Sequence, residues 1–151
     1  MSQDEPLGAM PGLTGATVDL RTLMHASREL TGRVAAELTM PATDVTAVGL
    51  LLMVGPMTVG ALAQRLGIRT PSASVLVDRL VAAGRAERRA HPDDRRSTLV
   101  HVTDRASEES WAVWEPVVRA MDAAARKLPA AERAVVSRYL RRVTSAMQQH
   151  P

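Results

Sequence analysis

Apolar residues in this 151-residue chain recur mostly at intervals of three and four, a spacing that predicts amphipathic α-helices. A first long helix is predicted over residues 13–38. Residues 45–54 are apolar nearly all round, which predicts a central buried helix capped by Thr43 or Asp44. Residues 1–12 are rich in glycine, proline and acidic side chains, and we expect them to form a disordered tail.

Two short helices joined by a tight turn are predicted next. Thr58 caps the first helix, which ends at Gly67, where the backbone is expected to enter the left-handed region. The second begins with Thr70 as N-cap and Pro71 as its first residue, and Gly84 ends it. Its predicted buried face comprises Ala73, Leu76, Val77 and Leu80.

A basic β-hairpin is predicted to follow, with strands over residues 85–90 and 97–103 and a polar turn between them. Val100 and Val102 alternate toward the core. Four arginines crowd this hairpin, namely Arg88, Arg89, Arg95 and Arg96. Arginine is the side chain that enters a narrow, strongly negative minor groove, so these residues predict that the hairpin contacts a nucleic-acid duplex. The alternative is a charged loop that is simply solvated.

The exposed face of the second short helix is small and hydrogen-bonding, which favours close approach to a groove. Serine hydroxyls can bond phosphates or base edges, and Val75 can touch a thymine methyl group. The predicted DNA-contacting residues are Arg69, Thr70, Ser72, Ser74, Val75, Arg79, Arg88, Arg95 and Arg96. For the helix alone, an ordinary amphipathic helix with small surface residues is the alternative interpretation.

Two further helices are predicted within residues 104–150. Thr103 or Asp104 should cap the first, Pro116 should bend it, and Pro129 should end it and open the last. The first presents a short coiled-coil seam at Trp111, Trp114, Val118, Met121, Ala125 and Leu128. The last presents Val135, Val136, Tyr139, Leu140, Val143 and Met147 on one face.

The central stretch resembles the winged helix of the MarR family, the multiple antibiotic resistance regulators. The resemblance is carried by LAQRLGI at residues 62–68, by SVLVDRL at residues 74–80, by Gly84, and by D-x-R-x-x-x-V-x-V-T at residues 94–103. With the flanking helices it covers nearly the whole chain. The hairpin motif is its most specific part.

This resemblance implies a mostly α fold with a small β-hairpin wing. A winged helix-turn-helix at about residues 43–103 would be flanked by dimerisation helices at about residues 13–38 and 104–150, within one domain over residues 13–151. Family members are homodimeric regulators of transcription that bind double-stranded DNA, mostly as repressors and often released by small ligands. We therefore expect a homodimer on a pseudo-palindromic operator with half-sites about 34 to 36 Å apart.

The resemblance also implies roles for single residues. Asp94 resembles a family aspartate that pairs with a nearby arginine and shapes the wing, with Arg96 or Arg79 as its partner. Ligands of the family bind between the dimerisation helices and the winged helix, which implies a small aromatic or anionic effector. The candidate lining residues are Met24, His25, Met53, Met57, Trp111 and Trp114, for which core packing is the alternative.

The chain departs from the family at several positions. Many members carry arginine where this chain has Thr70 and Val75, so Arg69 is the remaining candidate for contacting guanine there. The first wing strand begins with Arg85 and Ala86 in place of two apolar residues, which predicts a thin contact with the core.

Composition narrows the class of protein further. The net charge is +3, from 19 basic and 16 acidic side chains, so the basic excess matters as a local patch on the hairpin. The chain has no cysteine, which excludes disulfides and a thiol switch. The acidic first residues lack the pattern of a secretory signal, and the apolar stretch at residues 45–57 is too short to span a bilayer, so we expect a cytoplasmic protein.

An enzyme is not expected, because the chain has no Ser/His/Asp spacing, phosphate-binding loop or cluster of paired carboxylates. No cofactor is predicted, and His91, His101 and His150 lack the spacing of metal ligands. The alternatives to a sequence-specific regulator are a non-specific nucleoid-type DNA binder and a winged-helix module that binds protein. The serine-rich helix face argues against the latter, since protein-binding helices expose large apolar anchors.

Overall fold

The computed structural model describes residues 12–92, 94 and 96–149 of the chain. Its elements, in chain order, are α1 (Gly15–Glu37), α2 (Ala42–Val54), β1 (Met57–Thr58), α3 (Val59–Leu66), α4 (Thr70–Ala82), β2 (Ala86–Ala90), β3 (Thr98–Val102), α5 (Asp104–Arg126) and α6 (Ala130–Gln149). Their contacts divide the chain into two compact units, of which the first ends at Ser110 and the second begins at Trp111. The mostly helical fold with a small hairpin is confirmed.

The first unit is built around a core shared by α2, α3, α4 and an antiparallel sheet of order β1–β3–β2. The four residues predicted to face inward from α4 are all buried. On the sheet, Val100 is fully buried, with Met57 of β1 on one side of it and Arg88 of β2 on the other. The sheet thereby fixes the hairpin against the same core that holds α4.

Several predicted helix boundaries are confirmed by their hydrogen bonds. The Thr58 hydroxyl accepts from the Ala61 backbone N–H at 3.2 Å, which caps α3. Gly67 ends that helix with φ +66°, and Gly84 follows α4 with φ +67°. Both positions lie in the left-handed region, where a side chain would be strained.

Two predicted N-caps are wrong. α2 begins after Pro41, whose carbonyl accepts from the Asp44 and Val45 backbone N–H groups, so Asp44 lies within the first turn and caps nothing. α4 begins one residue before the predicted position, because the Arg69 carbonyl already accepts from the Ala73 N–H at 3.1 Å. Arg69 is therefore the N-cap in place of Thr70.

The interpretation of α2 as buried all round is only partly correct. Val45, Ala47, Val48 and Leu51 are buried, but the last turn, Leu52, Met53 and Val54, is exposed. The short strand β1 was not expected, since two residues are too few to carry an alternating pattern. The first hairpin strand buries only one residue, Ala86, in the core, in keeping with the predicted thin contact, and Arg85 just before it is held by partners described below.

α1 is followed by a non-glycine residue in the left-handed region, Thr39, with φ +52°. The Thr39 N–H donates to the Ala36 carbonyl at 3.2 Å, and the Met40 N–H donates to the Ala35 carbonyl at 2.9 Å. This hydrogen-bond pattern is a Schellman cap, in which glycine is the usual residue at the left-handed position.

Replacing Thr39 with glycine is expected to stabilise the protein by about 0.5 to 1 kcal/mol, because a β-branched residue is strained at positive φ. Chemical denaturation followed by circular dichroism measures the change. Thr31→Gly, inside α1 where φ is helical, is the matched control and should destabilise by about 0.4 kcal/mol. Destabilisation by Thr39→Gly would contradict the assigned backbone strain.

The second unit comprises the rest of α5 and all of α6. Pro116 lies inside α5 as predicted, and the Pro129 carbonyl accepts from the Arg133 N–H at 3.0 Å, so Pro129 precedes α6 instead of opening it. Within the described part of α6, no residue is buried. Its exposed apolar residues are Val135, Val136, Leu140 and Met147, and those of α5 in this unit are Trp111, Val118 and Met121.

Within the described residues, no single helix combines the length and the apolar composition needed to cross a membrane; α1 and α2 reach them only jointly, across a bend of 102°.

Candidate nucleic-acid interface

The outward side of α4 carries a row that we call the recognition face, formed by Ser72, Val75 and Arg79. Steps of three and four residues place these side chains on one side of a helix, opposite the buried row. All three are exposed, and Val75 is 63% exposed although it is apolar. A row of two small side chains followed by a guanidinium allows close approach to a groove.

The remaining predicted contact residues of α4 differ in exposure. Arg69 and Thr70 are exposed at the N-terminal end of the helix, next to Pro71. Ser74 is half-buried, and its hydroxyl donates to the Thr70 carbonyl at 3.1 Å, so this group is committed to the helix backbone. The accessible hydroxyls of this end are therefore those of Thr70 and Ser72.

Arg79 is held by a carboxylate that the sequence did not suggest as its partner. Arg79 Nε donates to Asp44 Oδ2 at 2.7 Å, and Arg79 Nη2 donates to Asp44 Oδ1. These hydrogen bonds raise the pKa of Arg79 above its ordinary value, against partial desolvation and with help from the Asp44 charge. The proposed pairing of Arg79 with Asp94 is therefore wrong. An isolated acid in the apolar run of α2 was the signal that could have indicated a buried ion pair.

Two arginines of the hairpin form ion pairs that partly neutralise their charge. Arg88 Nη2 donates to Asp78 Oδ1 at 2.8 Å, and Arg89 Nη2 donates to Glu87 Oε1. Both ion pairs are solvent-accessible, so each contributes little to stability and can exchange for a phosphate. Arg88 thus links β2 to the recognition helix through Asp78.

Asp94 shapes the turn through the backbone. Its Oδ1 accepts from the Arg96 backbone N–H at 3.0 Å, and its carbonyl accepts from the Ser97 N–H at 2.9 Å. The expected pairing used the Arg96 guanidinium, whereas the hydrogen bond found here uses the Arg96 main chain. Arg95, the other predicted residue of the turn, lies outside the described residues.

Arg85 forms a junction that sequence analysis missed. Its Nη1 donates to Glu109 Oε2 at 3.0 Å, and its Nη2 donates to the Leu38 carbonyl at 3.1 Å, just beyond α1. Glu109 also accepts from Arg105 Nε at 2.8 Å. One half-buried guanidinium therefore connects the start of the hairpin with the end of α1 and the first turns of α5.

The Arg105 hydrogen bond, reinforced by the charges of Arg105 and Arg85, lowers the pKa of Glu109 below its ordinary value of 4.5 despite partial desolvation. A lowered folded-state pKa means that the ionised carboxylate stabilises the fold above pH 4.5, and that this contribution is lost as the pH falls through the folded-state value. Glu109→Gln should therefore be less stable than wild type near neutral pH, with the difference shrinking below pH 4.5. Urea denaturation of both proteins across acidic pH measures this, and a pH-independent difference would contradict it.

The candidate ligand-binding residues lie on three helices. Met24 is half-buried on α1, and the neighbouring His25 is exposed with its Nε2 at 3.4 Å from Glu29 Oε1. Met53 on α2 is 80% exposed. On α5, Trp111 is exposed and Trp114 is half-buried. Met57, by contrast, is buried in the core of the first unit, which removes it from the candidates. Among the residues that the structure describes, no group of His, Cys, Asp and Glu could hold a metal ion.

A short helix, a left-handed glycine turn, an exposed recognition helix and an antiparallel hairpin together define a winged helix-turn-helix protein. A model of the MarR family matches residues 38–97, which contain α2, α3, α4 and β2. These findings confirm that this stretch of the chain is similar to the MarR family, as the sequence motifs predicted.

Comparisons with single proteins point to the same class of protein. The uncharacterized HTH-type transcriptional regulator YcgE of Bacillus subtilis strain 168 is 41% identical over 58 residues, which span 38% of this chain and 38% of that protein. The solved structure of RV1404 from Mycobacterium tuberculosis is 25% identical, with a TM-score of 0.64 over 92% of this chain and 98% of that one. A point mutant of MepR from S. aureus, bound to an oligodeoxyribonucleotide, is 15% identical, with a TM-score of 0.57 over 89% and 99% of the two chains.

At 15% identity the MepR comparison shows a shared fold alone. The YcgE relative is named as a transcriptional regulator and not as an enzyme, in agreement with the expectation drawn from the motifs. The chain matches well under half the length of that relative.

Proposed function

We propose that this protein is a transcription regulator that binds double-stranded DNA with sequence specificity, as a homodimer on a pseudo-palindromic operator. The observation that carries the proposal is the recognition face of α4, small and exposed, beside an arginine-bearing hairpin on the same core. In this arrangement α4 enters the major groove with Arg69, Thr70, Ser72 and Val75 near base edges. Arg95 or Arg96 enters the adjacent minor groove, and Asp94 maintains the turn.

The neighbour in complex with an oligodeoxyribonucleotide supports this proposal, since the same fold binds nucleic acid there. A fluorescence anisotropy titration against the duplex upstream of the chain's own gene tests it. The expected result is a complex that excess random duplex fails to displace. Equal competition by random duplex would favour the non-specific binder, and the absence of binding would favour the protein-binding module.

The homodimer is supported by the exposed apolar rows of α5 and α6. A helix with four exposed apolar residues and none buried among those described needs a partner surface, because apolar area left in water forgoes about 25 cal/mol per Å². Two copies also supply two recognition helices, which a palindromic operator requires. In this proposal residues 13–151 act as one domain, with α1, α5 and α6 as dimerisation helices, in the cytoplasm where DNA is accessible.

We propose repression with release by a small aromatic or anionic effector as the mode of action. Met24, His25, Met53, Trp111 and Trp114 are the candidate contacts. Quenching of tryptophan fluorescence on addition of small aromatic acids, with concomitant loss of the DNA complex, tests this part. Unchanged fluorescence and unchanged DNA binding across the panel would contradict it.

A further inference from the structure

Asp44 is a carboxylate with 2% exposure inside an otherwise apolar part of the fold. Among the described residues, only Asp44 and Ser110 are buried and polar. A buried carboxylate is retained at a cost unless a partner compensates it, and replacing such pairs by apolar residues is often neutral or stabilising. The fold alone therefore gives little reason for an aspartate at this position of α2.

The partner of Asp44 lies on the recognition face. Arg79 reaches Asp44 with its Nε–H and one N–H of Nη2, which places the carboxylate along one edge of the guanidinium. A guanidinium has five N–H donors, so two on Nη1 and one on Nη2 remain. Within residues 12–92, 94 and 96–149 these donors have no other partner, and the Arg79 side chain is 48% exposed.

The free donors form a planar fork, the geometry that matches two oxygens of a phosphate. Arg79 lies in the third turn of α4, one turn beyond Val75 on the recognition face. In helix-turn-helix proteins the N-terminal residues of the recognition helix contact base edges, and contacts to phosphates fix the register of the protein on the duplex. Its place in the helix therefore suits Arg79 to a phosphate contact better than to a base contact.

We propose that Asp44 is a positioning residue that fixes the Arg79 guanidinium so that its free edge binds a DNA phosphate. This inference rests on the proposed DNA binding and specifies one contact of it. Arginine carries high rotamer entropy, and an arginine clamped along one edge loses less of it on binding. The carboxylate lies behind the guanidinium, and its repulsion of the phosphate is weaker than the attraction of the nearer cation.

The test uses a duplex selected from a random pool by the wild-type protein, prepared as a series with one neutral methylphosphonate linkage at each successive position. Anisotropy gives the affinity of wild type, Arg79→Ala, Asp44→Asn and Arg79→Lys for every member. Arg126→Ala, which removes an arginine paired with Asp122 on α5, is the matched control. Thermal unfolding of each variant verifies that it is folded.

We expect one linkage in each half-site to weaken wild-type binding about tenfold and to have no effect on Arg79→Ala. Arg79→Ala should reduce the slope of log affinity against log salt by about one for each protomer. Asp44→Asn should bind the duplex more weakly than wild type, and the methylphosphonate at the same linkage should weaken its binding less. Its salt slope should be unchanged, since the arginine charge remains. If Asp44 only stabilised the fold, its replacement would not change the effect of one particular neutral linkage on binding.

The inference is overturned if Asp44→Asn binds as tightly as wild type with the same linkage sensitivity, or if Arg79→Ala changes the selected sequence instead of a phosphate contact. Should Asp44→Asn fail to fold, Arg79→Lys decides, because lysine keeps the charge but lacks the planar fork; wild-type sensitivity in this variant contradicts the proposal. A wild-type protein that selects no sequence from the pool refutes the proposed function itself, which is a different result.

Discussion

Replacing Arg95 and Arg96 together with alanine is expected to lower the affinity for operator DNA by at least about a hundredfold at an ionic strength of about 0.15 M. We expect a large loss because a guanidinium in the minor groove would occupy the most negative potential of the duplex, and the proposed dimer would contribute each arginine twice. The salt slope should fall by about two for each protomer. Anisotropy titrations at several salt concentrations measure both quantities.

The control for this experiment removes the same charge from α5. Arg119 and Arg126 form exposed ion pairs with Glu115 and Asp122, and their double alanine variant loses two positive charges without altering the hairpin. Affinity within about twofold of wild type is expected for it, because surface charges away from the contact are screened by salt. Equal losses in the two double variants would show a general charge effect and contradict the role of the hairpin tip.

Leu140→Glu is expected to convert the dimer to monomers and to abolish operator binding at concentrations where the wild type is saturated. Leu140 lies on the exposed apolar row of α6 with Val136 one turn before it. Burying an unpaired carboxylate in a dimer interface costs several kcal/mol, which is enough to shift dissociation into the micromolar range or beyond. Sedimentation equilibrium measures the oligomeric state.

Ser145→Glu introduces the same charge on the opposite side of α6, where the side chain is exposed, and should remain dimeric. The pair of variants distinguishes an interface from general destabilisation by a helix-surface glutamate. A wild type that sediments as a monomer, or a Leu140→Glu variant that stays dimeric, would contradict the assignment of this row to the interface.

Local signals explain why most of the winged helix-turn-helix was predictable. The Thr58 cap, the left-handed Gly67 and the inward row of α4 each depend on neighbours within a few residues, so backbone sterics and helical periodicity determine them. Such features are visible in a single sequence.

The features that were missed depend on contacts between distant segments. Asp44 was interpreted as a cap because short polar residues before an apolar run usually are, but its partner Arg79 lies 35 residues later. Arg85 was noted only as a departure from two apolar residues, whereas it pairs with Glu109 and with a carbonyl 47 residues earlier. The left-handed conformation of Thr39 could not be predicted from its residue type, because tertiary packing of α1 against α2 overrides the preference of threonine for negative φ.

The base of the hairpin is closed by a single side chain, Thr103. Its hydroxyl donates to the Gly84 carbonyl at 2.9 Å and accepts from the Ala106 N–H at 3.3 Å, while its backbone N–H donates to the Arg85 carbonyl at 3.1 Å. The hydroxyl thus joins the residue after α4 to the first turn of α5, while the backbone N–H of the same residue joins the two ends of the hairpin. Loss of this hydroxyl would therefore release two segments from the end of β3 at once, namely the residue that follows α4 and the first turn of α5.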